Sequence, residues 1–177
     1  MDIAFNEGSE IKQFIIENRN SFEHKLLSEA VNVAAKINEI LDKGNIDLLK
    51  NAQKLVLFIV EDQEKELVSF AEQEGVAWAK HSLTLAFKLE WIQAIRRTIW
   101  HFLYEFDKLK KLTVNREDFY IREKRINDKV DQFLNNFFIS YSNFKDGQLA
   151  SQRKLVEHLS VPIIPITRTV AVLPLIG

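Results

Sequence analysis

Residues 85–109 read LAFKLEWIQAIRRTIWHFLYEFDKL, and the placing of their apolar side chains decides the kind of fold. Leu85, Leu89, Ile92, Ile95, Ile99, Phe102, Leu103 and Phe106 recur at the steps that line one face of a helix. Trp91 and Trp100 widen that stripe, and Lys88, Arg96 and Arg97 mark its other side. No glycine or proline interrupts the stretch. The spacing therefore predicts one long helix, followed by a basic connector over 109–114.

Downstream, Ile126, Val130, Phe133, Phe137, Tyr141 and Phe144 repeat the pattern within a helix expected over about 116–145, and Leu134 and Phe138 extend its face. Asp146-Gly147 is expected to end it. Leu149, Gln152, Val156 and Leu159 then follow at 3-4-3 spacing, the seam of a short coiled coil. The aromatic stripe runs almost in phase into this seam. Phe137, Tyr141, Phe144, Leu149, Gln152, Val156 and Leu159 are thus the expected dimer and linker contacts, with Gln152 setting register at some cost in stability. Two heptads are marginal alone, so this segment needs a partner or continuity with the helix before it.

Upstream, Ser9 caps an expected helix over 9–17 that carries Ile11, Phe14 and Ile15 on one face. Ser21 opens a second, running to about Leu41, and Gly44 is its expected left-handed terminus. Asn45 starts a helix over 46–62, apolar nearly all round at Leu55–Val60, with a strand as the competing reading of those six residues. A further helix spans about 65–83, with Gly75 as a weak interior break. The expected architecture is all-α.

Composition supports that class and narrows the chemistry. The 177 residues include 13 Phe and 3 Trp but only 5 Gly and 3 Pro, which suits long helices around a bulky core. With 24 Lys+Arg against 25 Asp+Glu, the chain lacks the positive excess of a bulk nucleic-acid binder. The absence of Cys excludes disulfides, thiolate nucleophiles and Cys-based zinc sites. No apolar run approaches a membrane span, and Met1–Glu7 resembles no leader, so a cytoplasmic protein without a membrane partner is expected.

Catalytic patterns are not legible. There is no GxGxxG, Walker loop, GxSxG or HExxH. His24, His81, His101 and His158 lack the spacing of helical metal ligands, so no metal site is expected. His101 and Glu105, four residues apart, read as a surface pair, and Arg96-Arg97 as a solvated edge rather than a base-stacking site. No catalytic residue is assigned, and a non-enzyme is expected.

The last 17 residues change character. Pro162 and Pro165 sit among β-branched neighbours, and 169–177 reads as a buried strand with no sheet to join. The expected division is a helical domain over 1–145, a linker helix over 146–160, and the start of a β-containing domain over 161–177.

Two stretches of this tail carry a family resemblance. Leu155-Val156-Glu157-His158-Leu159-Ser160-Val161-Pro162-Ile163-Ile164-Pro165, followed by Val172-Leu173-Pro174-Leu175-Ile176-Gly177, resembles the entry to a STAS domain in RsbR-type stressosome co-antagonists of Bacillus and relatives. The resemblance implies a dimeric, globin-like N-terminal sensor domain without haem, joined by a linker helix to STAS. It implies work with a STAS-only scaffold protein and a switch kinase, ending in activation of the general stress sigma factor. The phosphorylated threonines of the family lie beyond the P-L-[IV]-G motif, so Thr167 and Thr169 are not those sites. In a globin-like layout His81 falls where a haem globin carries its proximal ligand. It is therefore the haem-ligand candidate of an alternative, a haem- or small-ligand-binding sensor. Trp78, Phe87 and Trp91 would instead fill that space, and no cofactor is the expectation.

Overall fold

A computed structural model describes Ile3, residues 10–159, and the backbone of 164–165 and 171–172. Its described residues form seven helices: α1 (Ile11–Glu17), α2 (Arg19–Glu29), α3 (Val31–Gly44), α4 (Leu48–Val60), α5 (Glu64–Lys80), α6 (Leu85–Leu109) and α7 (Arg116–Leu159). The all-α expectation is borne out, and α6 has the bounds its stripe predicts. Leu55–Val60 is helical. Two short strands, β1 (Ile164–Pro165) and β2 (Ala171–Val172), pair antiparallel, Ile164 opposite Val172. Ser9, Thr167, Thr169 and the rest of the expected terminal strand lie outside the described residues.

Besides the start of α2, which follows Asn18 at Arg19 and leaves Ser21 inside the helix, three boundaries differ from expectation. The helix expected over 21–41 is two helices, because Ala30 leaves the helical region at φ −125°, ψ 66°. Side chains of α6 satisfy the two ends this opens. Arg97 donates to the Glu29 carbonyl at 3.1 Å, and Glu90 accepts the Asn32 N–H at 3.0 Å. A cation thus meets the C-terminus of α2 and a carboxylate the N-terminus of α3, as the helix dipole favours. Gly44 remains helical, and Asn45 takes the left-handed turn at φ 51°. Asp47, not Asn45, caps α4 by accepting the Lys50 N–H at 3.0 Å.

The third difference is the largest. Asp146-Gly147 does not end a helix, and α7 runs unbroken for 44 residues. One interior glycine costs a helix only about 1 kcal/mol, which Gln148, Leu149, Ala150 and the good helix formers beyond them offset. The stripe does not continue in phase either. Ile126, Val130, Phe133 and Phe137 are buried, whereas Leu149, Val156 and Leu159 are exposed. At 100° per residue these two sets point about 100° apart around the axis.

Two aromatic groups stand out in the core. Phe14 of α1 and Phe22 of α2 pack on Phe102 of α6, with ring centres 6.0 and 5.3 Å away. Trp78, Phe70, Phe133 and Phe137 join α5 to α7 at 6.0–6.4 Å between rings. Helices α5 and α7 run parallel, since Glu64 meets Gln132 at one end and Ser82, just past α5, meets Lys145 at the other. Gly75 sits midway and does not weaken α5. A Cβ there would lie 2.4 Å from the Phe137 carbonyl oxygen, so only glycine admits this approach.

Gly75→Ala is expected to lower stability to urea by about 2 kcal/mol through overpacking against fixed backbone. Gly147→Ala, where no described neighbour lies within 4 Å, should lower it not at all. Equal losses from the two substitutions would contradict this packing.

Candidate functional site

The charge of Lys88, near the start of α6, predicts a place on the solvent side, yet the residue is only 2% exposed. Its Nζ donates to Glu74 Oε2 of α5 at 2.5 Å. Asn51 of α4 donates to the other carboxylate oxygen, Oε1, at 2.7 Å. The Lys88 ammonium also lies over Trp78, Phe137 and Phe133, 5.0, 5.1 and 5.5 Å from their ring centres. Ring faces are electronegative, so the three aromatics solvate the cation where water is shut out. One buried network thereby joins α4, α5 and α6 beneath the crossing of α7. Sequence periodicity misses it because a single polar residue at the start of a helix resembles a surface residue.

A second charged contact holds the far end of the same crossing. Lys129 of α7 reaches Asp62 Oδ1 at 3.0 Å and Glu64 Oε2 at 3.1 Å. Burial pushes the Lys129 ammonium down, but hydrogen bonds to Asp62 and Glu64 outweigh it and raise its pKa above the usual 10.5. Hydrogen bonds from Gln132 and then Lys129 hold the Glu64 carboxyl below the usual 4.5. A raised lysine adds stability that is lost as pH climbs through its folded value. A lowered carboxyl adds stability that is lost as pH falls through its own. The clamp is therefore complete between these two limits.

The expected dimer and linker residues fall into three groups. Phe137 is fully buried against α5 and lends no area to another molecule. Tyr141 and Phe144 are half-buried at the end of the helical body. Beyond Lys145, which donates to Ser82 Oγ at 3.0 Å, every described residue of α7 is exposed. Leu149, Val156 and Leu159 are 52, 61 and 43% exposed, and Leu155, between them, is 58% exposed. Gln152 is exposed on the same side as Leu149 and Val156.

Other singled-out residues have structural partners. Arg96 pairs with Asp131 at 3.0 Å and Arg97 with Glu29 at 2.7 Å, which ties this basic edge of α6 to α7 and α2. His101 meets the Phe102 ring edge-on, and among the described residues it forms no ion pair with Glu105. His81 caps the C-terminus of α5 through its backbone N–H to Ala77, and its side chain is half-buried. Trp78 and Trp91 are core residues, 0 and 1% exposed, and the Trp78 indole donates to the Thr84 carbonyl at 3.2 Å. Phe87 is half-buried. No group of acidic or histidine side chains able to hold a metal occurs among the described residues, and no described helix is long and apolar enough to cross a membrane.

Lys88→Met leaves the Glu74 carboxylate buried without its counter-charge and should cost about 3–5 kcal/mol in urea unfolding. Adding Glu74→Leu should restore most of that loss, and a merely additive double variant would refute the coupling. Lys129→Met should move the Glu64 titration upward in a carboxyl-detected NMR pH series; an unmoved titration would show that the clamp does not act on it.

No family model matches the chain, and no solved structure matches it. It is similar to a curated protein of Bacillus subtilis (strain 168), the RsbT co-antagonist protein RsbRD, with 23% identity over 174 residues. The likeness covers 94% of this chain and 63% of that protein, so the chain spans less than two thirds of its relative's length. The resemblance to the RsbR type carried by residues 155–165 and 172–177 is thus borne out over nearly the whole chain: its likeness is to an RsbT co-antagonist protein.

Proposed function

We propose that this chain is the non-enzymatic sensory and regulatory module of a stressosome co-antagonist, acting as a homodimer in the cytoplasm. Residues 1–145 form a globin-like sensor domain in this proposal, 146–160 a linker helix, and 161–177 the start of a STAS domain. A stress signal alters the helical body, and α7 carries the change to STAS. The full protein then acts with a STAS-only scaffold and a switch kinase to control general stress sigma factor activation. The likeness to an RsbT co-antagonist supports the pathway.

The observation that carries the proposal is the projecting end of α7. A core helix buries its apolar face within its own domain, yet Leu149, Leu155, Val156 and Leu159 sit exposed on a helix that has already left the body. A second copy of α7, packed alongside, would cover them at the heptad steps. Because one uninterrupted helix joins this stripe to Phe133 and Phe137, a change at the α5–α7 contact is transmitted as movement of a rigid element.

Sedimentation equilibrium tests the proposal. The wild-type chain should be dimeric at micromolar concentration, and Leu149→Glu with Val156→Glu should make it monomeric while leaving its helical content unchanged. Gln152→Leu, which removes the polar residue from the seam, should tighten the dimer about tenfold. A wild-type monomer at high micromolar concentration would overturn the proposal.

A further inference from the structure

Between α4 and α5 lies a cleft of about 620 Å³, within the size range of small-molecule sites. Leu41, Ile46 and Phe70 supply apolar walls. Asn51 and Glu74 also line it, and the Glu74 side chain, 7% exposed, is the most deeply buried charged group of the lining. Lys50 and Lys54, both exposed, stand at its rim. Asp47 also lines the cleft, but its carboxylate is engaged in capping α4. Capping does not remove the charge of Asp47, which is exposed, so the layout sets one buried anion, Glu74, beneath two exposed cations and one exposed anion.

We infer that this cleft binds a small zwitterion of the α-amino-acid type. Its ammonium enters toward Glu74, and its carboxylate stays at the rim with Lys50 and Lys54. Each Glu74 oxygen already accepts one hydrogen bond, from Asn51 or Lys88, and a carboxylate oxygen has a second lone pair for another. An arriving ammonium thus needs no displaced partner. It adds a second positive charge beside Glu74, opposite Lys88, and weakens the hold of the carboxylate on that lysine by sharing it. Lys88 in turn rests on Trp78, Phe133 and Phe137, and two of those rings belong to α7. The cleft is in this way wired to the α5–α7 crossing through one shared carboxylate.

This inference supplies the sensory proposal with a ligand class and rests on it only for the consequence of binding. The test is a ¹⁵N NMR titration of the whole chain with a panel of L-α-amino acids at millimolar concentration, with glycine betaine beside them. The expected result is that at least one amino acid shifts both the Asn51 carboxamide and the Trp78 indole resonance. Glycine betaine, whose ammonium has no N–H, should shift neither. Lys50→Glu with Lys54→Glu, both at exposed positions although Lys54 also lies 4.8 Å over the Phe70 ring, should weaken the titration about tenfold or more while helical content stays unchanged. Failure of the whole panel to move these two signals, or binding unchanged by the double charge reversal, would overturn the inference. Sedimentation of the unliganded chain reports separately on the dimer, so either proposal can fail alone.

Discussion

At Gly75 the backbones of α5 and α7 approach so closely that a single methyl group would collide with the Phe137 carbonyl. Much else in the molecule follows from that constraint. Two parallel helices this near leave no room between them for large side chains at the crossing, so the bulky residues gather beside it. Trp78, Phe133 and Phe137 form a wall there, and the wall creates a space that α6 fills with Lys88. A lysine can enter such a space only with a counter-charge, which α5 supplies from Glu74, one residue before the glycine. Close approach, aromatic wall and buried charge are parts of one solution.

That solution has an energetic character unlike the rest of the core. The Phe14–Phe22–Phe102 end is apolar and tolerates gradual change, as dispersion contacts do. The Lys88–Glu74 end depends on complete satisfaction: each partner is tolerable only while the other is present. Evolution toward a maximally stable domain would favour hydrophobic residues of similar volume here. A paired charge instead makes the arrangement selective, since it forbids packings that would separate the pair.

Much of the fold is legible in the sequence because helix periodicity is a local property. The bounds of α6 and the burial of Ile126, Val130, Phe133 and Phe137 follow from spacing, whereas Leu55–Val60, apolar nearly all round, leaves a strand as the competing reading until the fold decides it for a helix. Sequence reading fails where distant residues decide the outcome. Nothing near Ala30 announces a break; it is stabilised by Glu90 and Arg97, about sixty residues away in sequence. Gly75 and Gly147 look alike as isolated glycines, yet one serves a backbone contact with α7 and the other has no described neighbour. Charge alone puts Lys88 on the wrong side of α6, because its partner Glu74 lies on another helix. The 3-4-3 spacing of Leu149, Gln152, Val156 and Leu159 is legible in the sequence. That these residues are turned away from the core stripe emerges from counting residues around α7 once that helix is known to be continuous.

The continuity of α7 has a mechanical consequence. Its 44 residues make a rod roughly 66 Å long at 1.5 Å per residue, of which the last 14 extend roughly 20 Å past the body. Bending such a rod moves its tip sideways, but turning it about its own axis leaves the tip in place and changes which side chains it presents. Any torque applied where Phe133 and Phe137 lean on their neighbours would therefore arrive at the far end as rotation of the apolar stripe: Leu155, Val156 and Leu159 would swing round together. Such a rotation would alter the facing of that stripe without lengthening, shortening or unfolding anything between.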